Sequence, residues 1–304
     1  MISNSAALLV LGVLLAEPVS RALAAARWPA LDPTGALLLW QAVGLAGGLA
    51  LLGAGVSFGL APLGPSLPAA VGALAGHLRR WDWPAGLGPW QLLALAAAAA
   101  LAGRLFGILG LAVTRTLRAR RRHRDLLDVL ATPWPAMAGA RVLAHPLPVA
   151  YCLPGLRSRL VVSEGTLAAL SPAELAAVLA HERAHLRERH DLVVLPFVAW
   201  GATAPWVPGM ARAQVAVAAL VEMRADDVAR ARVGRLALAG ALRRVGGAAT
   251  LSGRATLTSF SAAVRGRLDR LDQQLDSPPL TLRLVPRLAA LALVAVPTAV
   301  LLAP

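Results

Sequence analysis

The sequence predicts a mainly helical α+β protein that crosses a membrane several times and carries one small domain outside the bilayer. Hydrophobic residues make up 57% of the 304 residues, charged residues make up only 15%, and the mean hydropathy is +0.63. Soluble domains carry about 25% charged residues. The apolar residues are concentrated in four segments, and most of the charged residues lie between the third and the fourth. This composition excludes a disordered chain, a disulfide scaffold and an ordinary soluble enzyme.

Four apolar segments are predicted to cross the bilayer as helices. The clearest is 35–60, in which only Gln41 and Ser57 are polar, and about 20 apolar residues suffice to cross a hydrocarbon core of roughly 30 Å. The first segment lacks the basic start of a signal peptide, so we expect a retained span with a kink at Pro18 rather than a cleaved leader. The predicted spans are 6–26, 35–60, 89–113 and 288–302.

Two features inside these spans predict helix contacts. Gly44 and Gly48 lie on one helix face and would let a second helix approach closely, although a Gly-rich composition alone also produces such pairs. Arg104 interrupts the third span, and an ionised side chain in a bilayer is costly unless it is paired or reaches water. We therefore expect Arg104 to face the bundle interior or a cavity, with Glu17 of the first span as a candidate partner.

The distribution of arginine predicts the orientation of the spans. All 30 basic residues are arginine, and positive charge is enriched at the cytoplasmic ends of spans. Arginine follows the first span, clusters at 115–124 after the third, and precedes the fourth, so we expect 115–286 to be cytoplasmic and both termini to be outside. The net charge of +14 would also suit nucleic-acid binding. The cluster adjoins a span and lacks interleaved aromatic residues, which favours contact with anionic lipid, and no direct nucleic-acid partner is expected.

The segment 171–190 predicts a helix that carries chemistry. Ser171 and Glu174 form a capping box with proline at the first helical position. The same helix contains an H-E-x-x-H motif in which His181 and His185, four residues apart, share one face and can reach one zinc ion. Glu182 beside them can take a proton from a zinc-bound water. The motif therefore predicts a catalytic zinc site, and two solvated histidines are the alternative.

The residues after the motif exclude one class of zinc peptidase. A metzincin would carry Gly at position 188 and His at position 191, where this chain has Glu188 and Asp191. His190 lies five residues after His185, and on a continued helix it is expected to point to another face. The third ligand must therefore come from elsewhere in the chain.

A second predicted helix offers that ligand. Glu222 lies in the segment LVEMRADDVAR, and Asp226 follows one turn later on the same face. Glu222 is predicted to bind the zinc, and Asp226 to accept the N–H of a zinc-bound histidine and fix its tautomer. Asp227 faces elsewhere and is expected to be a solvated or salt-bridged charge. Together with the histidine pair, this pattern indicates a gluzincin.

The segments AVLAHERAHLRERHDL, FVAWGATAPWVPGM and VEMRADDVA resemble the BlaR/MecR-type family of integral-membrane zinc metallopeptidases. The upstream segment VAYCLPGLRSRLVVSEGTLAALSPAEL resembles the strand-turn-strand region that precedes the zinc helix in that family. The resemblance is tight over about 140–230 and more distant to HtpX-like and CAAX-prenyl-protease-like peptidases. It implies one Zn²⁺ per chain held by His181, His185 and Glu222, with Glu182 as the general base and Asp226 as the supporting acid.

The resemblance also implies a biological setting. The expected protein is a multi-pass zinc metalloendopeptidase of the bacterial cell membrane that hydrolyses a peptide or protein substrate in regulated proteolysis. The substrate would be a cytoplasmic repressor, for which a winged-helix transcriptional repressor is a candidate partner, or the chain itself. The alternatives are an HtpX-like quality-control protease and a non-catalytic receptor or scaffold with a structural zinc. The presence of Glu182 argues against the scaffold, because a structural zinc site needs no base.

The predicted fold is an α+β, mainly helical, multi-span membrane protein with a small gluzincin-type metallopeptidase domain. Residues 192–207 are apolar enough to suggest a further span, but their prolines and the need for the two halves of the site to meet favour a re-entrant or membrane-skimming hairpin. The predicted domains are a membrane module with three transmembrane helices at 1–113, the cytoplasmic zinc domain with this hairpin at 114–286, and a transmembrane helix at 287–304.

Further residues near the motif have open or minor roles. The segments 149–152 and 159–163 have strand character, and such a strand can hold a substrate peptide along its edge. Cys152 is expected to be a small buried residue rather than a nucleophile or ligand. His145 and Tyr151 would either assist the oxyanion or serve as ordinary packing groups. The segment 265–275, with its alternating arginine and aspartate, is expected to form a solvated helix face.

Overall fold

The computed structural model describes residues 1–84, 86–155, 158–251, 257–273 and 279–303. The described chain is mostly helical with one small sheet, which confirms the predicted fold class. Its helices are α1 (Ile2–Leu14), α2 (Ser20–Ala25), α3 (Pro33–Leu60), α4 (Leu67–Arg80), α5 (Pro89–Leu130), α6 (Glu164–Ala169), α7 (Pro172–Arg187), α8 (His190–Thr203), α9 (Pro208–Val233), α10 (Arg235–Leu251), α11 (Leu257–Asp272) and α12 (Leu280–Leu302). Its strands are β1 (Ala131–Pro133), β2 (Ala140–Leu143), β3 (Ala150–Leu153) and β4 (Arg159–Ser163).

Among the described residues, four helical segments are long and apolar enough to cross a membrane, namely Ile2–Ala25, Pro33–Leu63, Pro89–Leu130 and Leu280–Leu302. The first is interrupted at the position of the predicted kink, where a π-helical turn at Leu15–Val19 contains Pro18. The Ser20 hydroxyl donates to the Leu15 carbonyl at 2.7 Å and thereby satisfies a carbonyl at the bend. The third is longer than the predicted span: α5 has 42 residues, or about 63 Å at 1.5 Å per residue, and its second half contains the arginine cluster.

Helix α3 forms the centre of the membrane module. It packs against α1, α5, α9 and α12, and its buried Trp40 meets Phe197 of α8 edge-to-face with 6.3 Å between ring centroids. The expected close approach at the glycine pair is made by α8: a methyl group added at Gly48 would lie 3.0 Å from Cζ2 of Trp200. The glycines thus accommodate a bulky side chain of α8 rather than another predicted span.

Helices α8 and α9 form a hairpin that is held at both inner ends by charged side chains of the spans. Arg104 donates to the carbonyls of Thr203 at 2.9 Å and Ala202 at 3.1 Å, at the C-terminal end of α8. Glu17 accepts from the backbone N–H of Gly209, at the N-terminal end of α9, and from Arg212 at 2.7 Å. Glu17 is therefore not the partner of Arg104. The free carbonyls and negative end of α8 attract the cation, and the free N–H groups and positive end of α9 attract the carboxylate.

Replacing Glu17 with Ala is expected to lower the melting temperature of the detergent-solubilised protein by about 3–6 °C, because α9 then loses a charged acceptor at its first turn. Glu17→Gln keeps an acceptor oxygen but removes the charge, so its melting temperature should fall between those of the parent and Glu17→Ala. Intrinsic tryptophan fluorescence during heating measures the effect. An unchanged melting temperature in Glu17→Ala would show that this contact does not stabilise the hairpin.

The four-stranded sheet has the order β1-β2-β4-β3, in which β2 and β4 are parallel and the two outer pairs are antiparallel. Leu160 and Val162 of β4 point into a core shared with Leu179 of α7, which fixes the sheet against that helix. Strand β3 lies at the edge of the sheet and also contacts α7. One face of α7 is therefore directed toward a sheet edge.

Candidate metal centre

Helix α7 begins with the predicted capping box. The Ser171 hydroxyl accepts from the backbone N–H of Glu174 at 3.4 Å, and the Glu174 carboxylate accepts from the N–H of Ser171 at 2.8 Å. Helices α7 and α9 pack together through small side chains, since buried alanines lie on both. These alanines permit a close approach of the two helix backbones, and this approach brings Glu222 to the histidine pair. They are Ala177, Ala180 and Ala184 of α7 and Ala225 and Ala229 of α9.

Three side chains that could bind a metal ion converge between the two helices. They are His181, His185 and Glu222, and we call them the donor group. The Nε2 atoms of His181 and His185 are 3.1 Å apart, and the Glu222 carboxylate lies 3.4 Å from the first and 3.5 Å from the second. Zinc binds imidazole nitrogen and carboxylate oxygen at about 2.0–2.2 Å, so tetrahedral ligand atoms are separated by about 3.3–3.6 Å. The residues therefore fit one zinc ion, and each offers one ligand atom to the group.

Asp226 lies behind this group. Its carboxylate is 3.0 Å from Nδ1 of His181, and the residue is 1% exposed. Hydrogen bonding at Nδ1 leaves Nε2 of His181 directed toward Glu222. The structure thus brings Asp226 together with His181, His185 and Glu222, as the sequence predicted.

Arg267 was not predicted as part of the site. It binds Asp226 through two hydrogen bonds of 2.7 and 2.6 Å and lies 3.2 Å from Glu222. The neighbouring Arg270 is 8% exposed and binds Asp227 through two hydrogen bonds of 2.8 Å, so Asp227 is salt-bridged. The prediction of a solvated face is therefore wrong for Arg267 and Arg270, whereas Arg265 of α11 is exposed. Residues 274 and 275 of that segment lie outside the described residues.

Burial and charge together set the protonation of the site. Burial lowers the pKa of His185 to about 4, helped by the charge of His181, so His185 is neutral at pH 7 with a lone pair available. Burial also acts to lower the pKa of His181, but hydrogen bonds to Asp226 and Glu222 outweigh burial and raise it to about 9. Burial raises the pKa of Glu182, which makes its carboxylate a stronger base.

Glu182 lies between the donor group and the sheet edge. It contacts the backbone and thiol of Cys152 in β3, and it lines an open cavity of about 160 Å³ together with His181, Glu222 and Arg267. Burial and the adjacent Glu182 charge raise the pKa of Cys152 to about 12. The Cys152 thiol is half-buried, and its raised pKa agrees with the expected packing role rather than with a nucleophile.

Two residues with open roles are engaged away from the donor group. The Tyr151 hydroxyl bonds Nε2 of His123 on α5 at 2.7 Å. Nδ1 of His145 accepts from the backbone N–H of Leu147 at 3.2 Å. These contacts favour the packing interpretation for both residues over an oxyanion role.

His190 differs from the prediction. It does not point to another face, because its Nδ1 lies 2.9 Å from Nδ1 of His185. Helix α7 ends at Arg187, and Arg189 has a left-handed backbone with φ of 51° that reverses the chain. The rotation of about 100° per residue on a continuous helix therefore does not apply beyond α7. A histidine three residues after the last residue of α7 was the available signal.

Comparison with known proteins gives a match to one family. Residues 115–243 match the sequence model of Peptidase family M48. This stretch contains α7, α8 and α9, and with them the donor group, Glu182 and Asp226. No curated protein and no solved structure matches the chain. The match bears out the resemblance to membrane zinc metallopeptidases, since family M48 is in general zinc-dependent. Residues 115–243 are therefore similar to Peptidase family M48, which supports a metallopeptidase, and the described residues of the chain include four helices long and apolar enough to cross a membrane.

Proposed function

We propose that the chain is a membrane-embedded zinc endopeptidase in which His181, His185 and Glu222 bind one zinc ion and Glu182 is the general base. The observation that carries this proposal is the spacing of the three donor atoms, 3.1–3.5 Å from one another, beside the half-buried Glu182 carboxylate. A structural zinc site is closed by four protein ligands, whereas a catalytic site has three. Three protein donors with an adjacent base favour catalysis.

When bound, zinc supplies a Lewis acid that lowers the pKa of a water molecule and polarises the scissile carbonyl. Glu182 takes the proton from the water on its carboxylate and delivers it to the nitrogen of the leaving amine. Burial raises the pKa of Glu182, which suits both steps, because a base must hold the proton and then release it near neutral pH. Asp226 accepts from Nδ1 of His181 and orients that imidazole.

The sheet edge beside Glu182 supports an extended peptide as substrate. Strand β3 pairs with β4 on one side, and Ala150 of β3 lines the same cavity as Glu182. A peptide that adds to the outer edge as a further strand would receive main-chain hydrogen bonds that hold its amide in register. Strand addition does not require a chain terminus, which supports internal cleavage.

We further propose the domain organisation 1–113, 114–286 and 287–304, with the zinc domain on the cytoplasmic side of the bacterial cell membrane. The arginines on the extension of α5 support this orientation. Arg104 lies about 16 Å from Arg115 along α5, and it contacts the end of α8, which supports a re-entrant hairpin at 192–207. The physiological substrate under this proposal is a cytoplasmic repressor or the chain itself.

Removal of zinc is expected to abolish proteolysis. Purified protein in detergent micelles is treated with a chelator, dialysed, and assayed on quenched fluorescent peptides and casein with increasing zinc. Activity should return in full with one equivalent of zinc per chain, and mass spectrometry should locate internal cleavage sites. If the protein binds one equivalent and cleaves none of these substrates, nor any protein of a membrane and cytoplasmic extract, the scaffold with structural zinc is supported instead.

Substrate breadth separates the two enzymatic alternatives. Incubation of the zinc-loaded protein with the same extract, followed by mapping of new N-termini, should give one preferred protein if the function is regulatory. Many unfolded membrane proteins cut at unrelated sites would support quality control.

A further inference from the structure

The Nδ1 atoms of His181 and His185 have different kinds of hydrogen-bond partner. Nδ1 of His181 is bonded to a carboxylate, Asp226, which Arg267 holds in turn. Nδ1 of His185 instead lies 2.9 Å from Nδ1 of a second histidine, His190. Nε2 of each histidine faces Glu222.

His190 is the first member of a chain of polar contacts. It is 3% exposed, and its Nε2 lies 3.3 Å from Oε2 of Glu188. Glu188 accepts two hydrogen bonds from Arg224, of 2.9 and 2.7 Å. Arg224 is on α9, two residues beyond Glu222. The chain of contacts therefore runs from His185 on α7 through the reversal at its end to the helix that carries Glu222.

The contacts allow only one arrangement of protons when Nε2 of His185 is a ligand atom. A neutral imidazole has one N–H, so His185 then carries its proton on Nδ1 and donates it. Two Nδ1 atoms can share a hydrogen bond only if one donates and the other accepts, so Nδ1 of His190 accepts. The proton of His190 is then on Nε2, which donates to Glu188, and an ionised carboxylate can only accept. The contacts from His185 through His190 and Glu188 to Arg224 all agree with this direction of hydrogen-bond donation.

We propose that His190, Glu188 and Arg224 are positioning residues that fix the tautomer and ring orientation of His185 and thereby set the zinc affinity of the site. The proposal rests on the proposed zinc site. His190 itself is not a ligand, because its Nδ1 lies against the Nδ1 side of His185 and the group of converging donor atoms consists of His181, His185 and Glu222. We call His190, Glu188 and Arg224 the relay. The relay orients His185 in the way that Asp226 and Arg267 orient His181.

The test measures zinc affinity by competition with a chromophoric chelator and records the visible spectrum of the Co²⁺-substituted full chain in detergent. His190→Phe keeps a buried ring but removes both nitrogens, and it should weaken zinc binding about 10- to 100-fold, as loss of such a partner typically does. The Co²⁺ bands should shift, because the His185 ring is free to rotate. His190→Asn places an acceptor oxygen near the position of Nδ1, so it should restore most of the affinity and the parent spectrum.

A matched control and a second variant separate positioning from folding. His123→Phe removes another half-buried histidine that bonds a neighbour, Tyr151, and should leave zinc affinity and Co²⁺ bands unchanged. Glu188→Gln should weaken zinc binding by about threefold to tenfold in the parent and have no effect in His190→Phe, because its influence passes through His190. This variant carries the test if His190→Phe fails to fold.

The outcomes are distinct. Parent affinity and parent Co²⁺ bands in His190→Phe, or in Glu188→Gln where the first variant does not fold, would overturn the relay. Equal loss of affinity in His190→Phe and His190→Asn would also overturn it, since the acceptor would then be irrelevant. Failure of the parent chain to bind one equivalent of zinc would refute the proposed function itself.

Discussion

The variant Glu182→Gln is expected to hydrolyse peptides about 100- to 10,000-fold more slowly than the parent, the range by which a positioned general base accelerates reactions. The amide has the shape of the carboxylate but cannot take up a proton at neutral pH. Glu182 is not among the three converging donor residues, so the variant should still bind one zinc per chain. Steady-state kcat/KM values and metal analysis of the same preparation measure the two properties.

Glu164→Gln is the matched control for this variant. Glu164 is an exposed glutamate at the first position of α6, on the surface of the same domain, and its replacement should leave activity and zinc content unchanged. If Glu182→Gln holds zinc and cleaves at the parent rate, Glu182 is not the base. Loss of zinc from Glu182→Gln would mean that this carboxylate helps to hold the metal.

The variant His181→Ala is expected to lose its zinc and, with it, its activity. Protein zinc sites with four ligands bind with about 10–16 kcal/mol, so one ligand contributes about 3 kcal/mol, which corresponds to a loss of affinity of more than 100-fold. The fold should survive, because the buried Asp226 keeps its two hydrogen bonds to Arg267 and is not left as an unpaired charge. Isothermal titration with zinc and thermal unfolding of the zinc-free variant measure affinity and stability.

His77→Ala controls for the loss of a histidine elsewhere. His77 lies on α4 and pairs with Asp82, at a partly exposed position remote in sequence from the donor group. Zinc affinity should be unchanged in this variant. Retention of one zinc at parent affinity by His181→Ala would contradict the proposed ligand set.

The local parts of the site could be predicted from the sequence. The helix period places His181 and His185 on one face, and the capping box at Ser171 marks where that helix begins. Glu222 and Asp226 could be predicted because their spacing is again one helical turn, and the motif called for a third ligand. The irregular turn in the first predicted span could be predicted because proline removes a backbone donor wherever it occurs within a helix.

The remaining contacts depend on where the chain turns, which periodicity does not encode. His190 reaches His185 only because Arg189 adopts a left-handed conformation after α7 ends. Arg267 comes from a helix far along the chain, and its charge pattern alone resembles a solvated face. Arg104 donates to backbone carbonyls at the end of α8, and Glu17 accepts from a backbone N–H at the start of α9 as well as from Arg212. Backbone partners of this kind cannot be identified from the sequence.

The contact between Glu17 and the start of α9 affects how precisely Glu222 is placed in the candidate metal centre. Glu222 lies about 20 Å along α9 from Gly209, the residue held by Glu17. Metal–ligand distances are reproduced to about 0.2 Å in working sites. A displacement of 0.2 Å at the end of a 20 Å arm corresponds to a tilt of only about 0.6°, by the same helix rise. The contact with Glu17 therefore links the alignment of α9 to the packing of the predicted spans. A change in that packing is expected to alter the distance between Glu222 on α9 and the two histidines on α7.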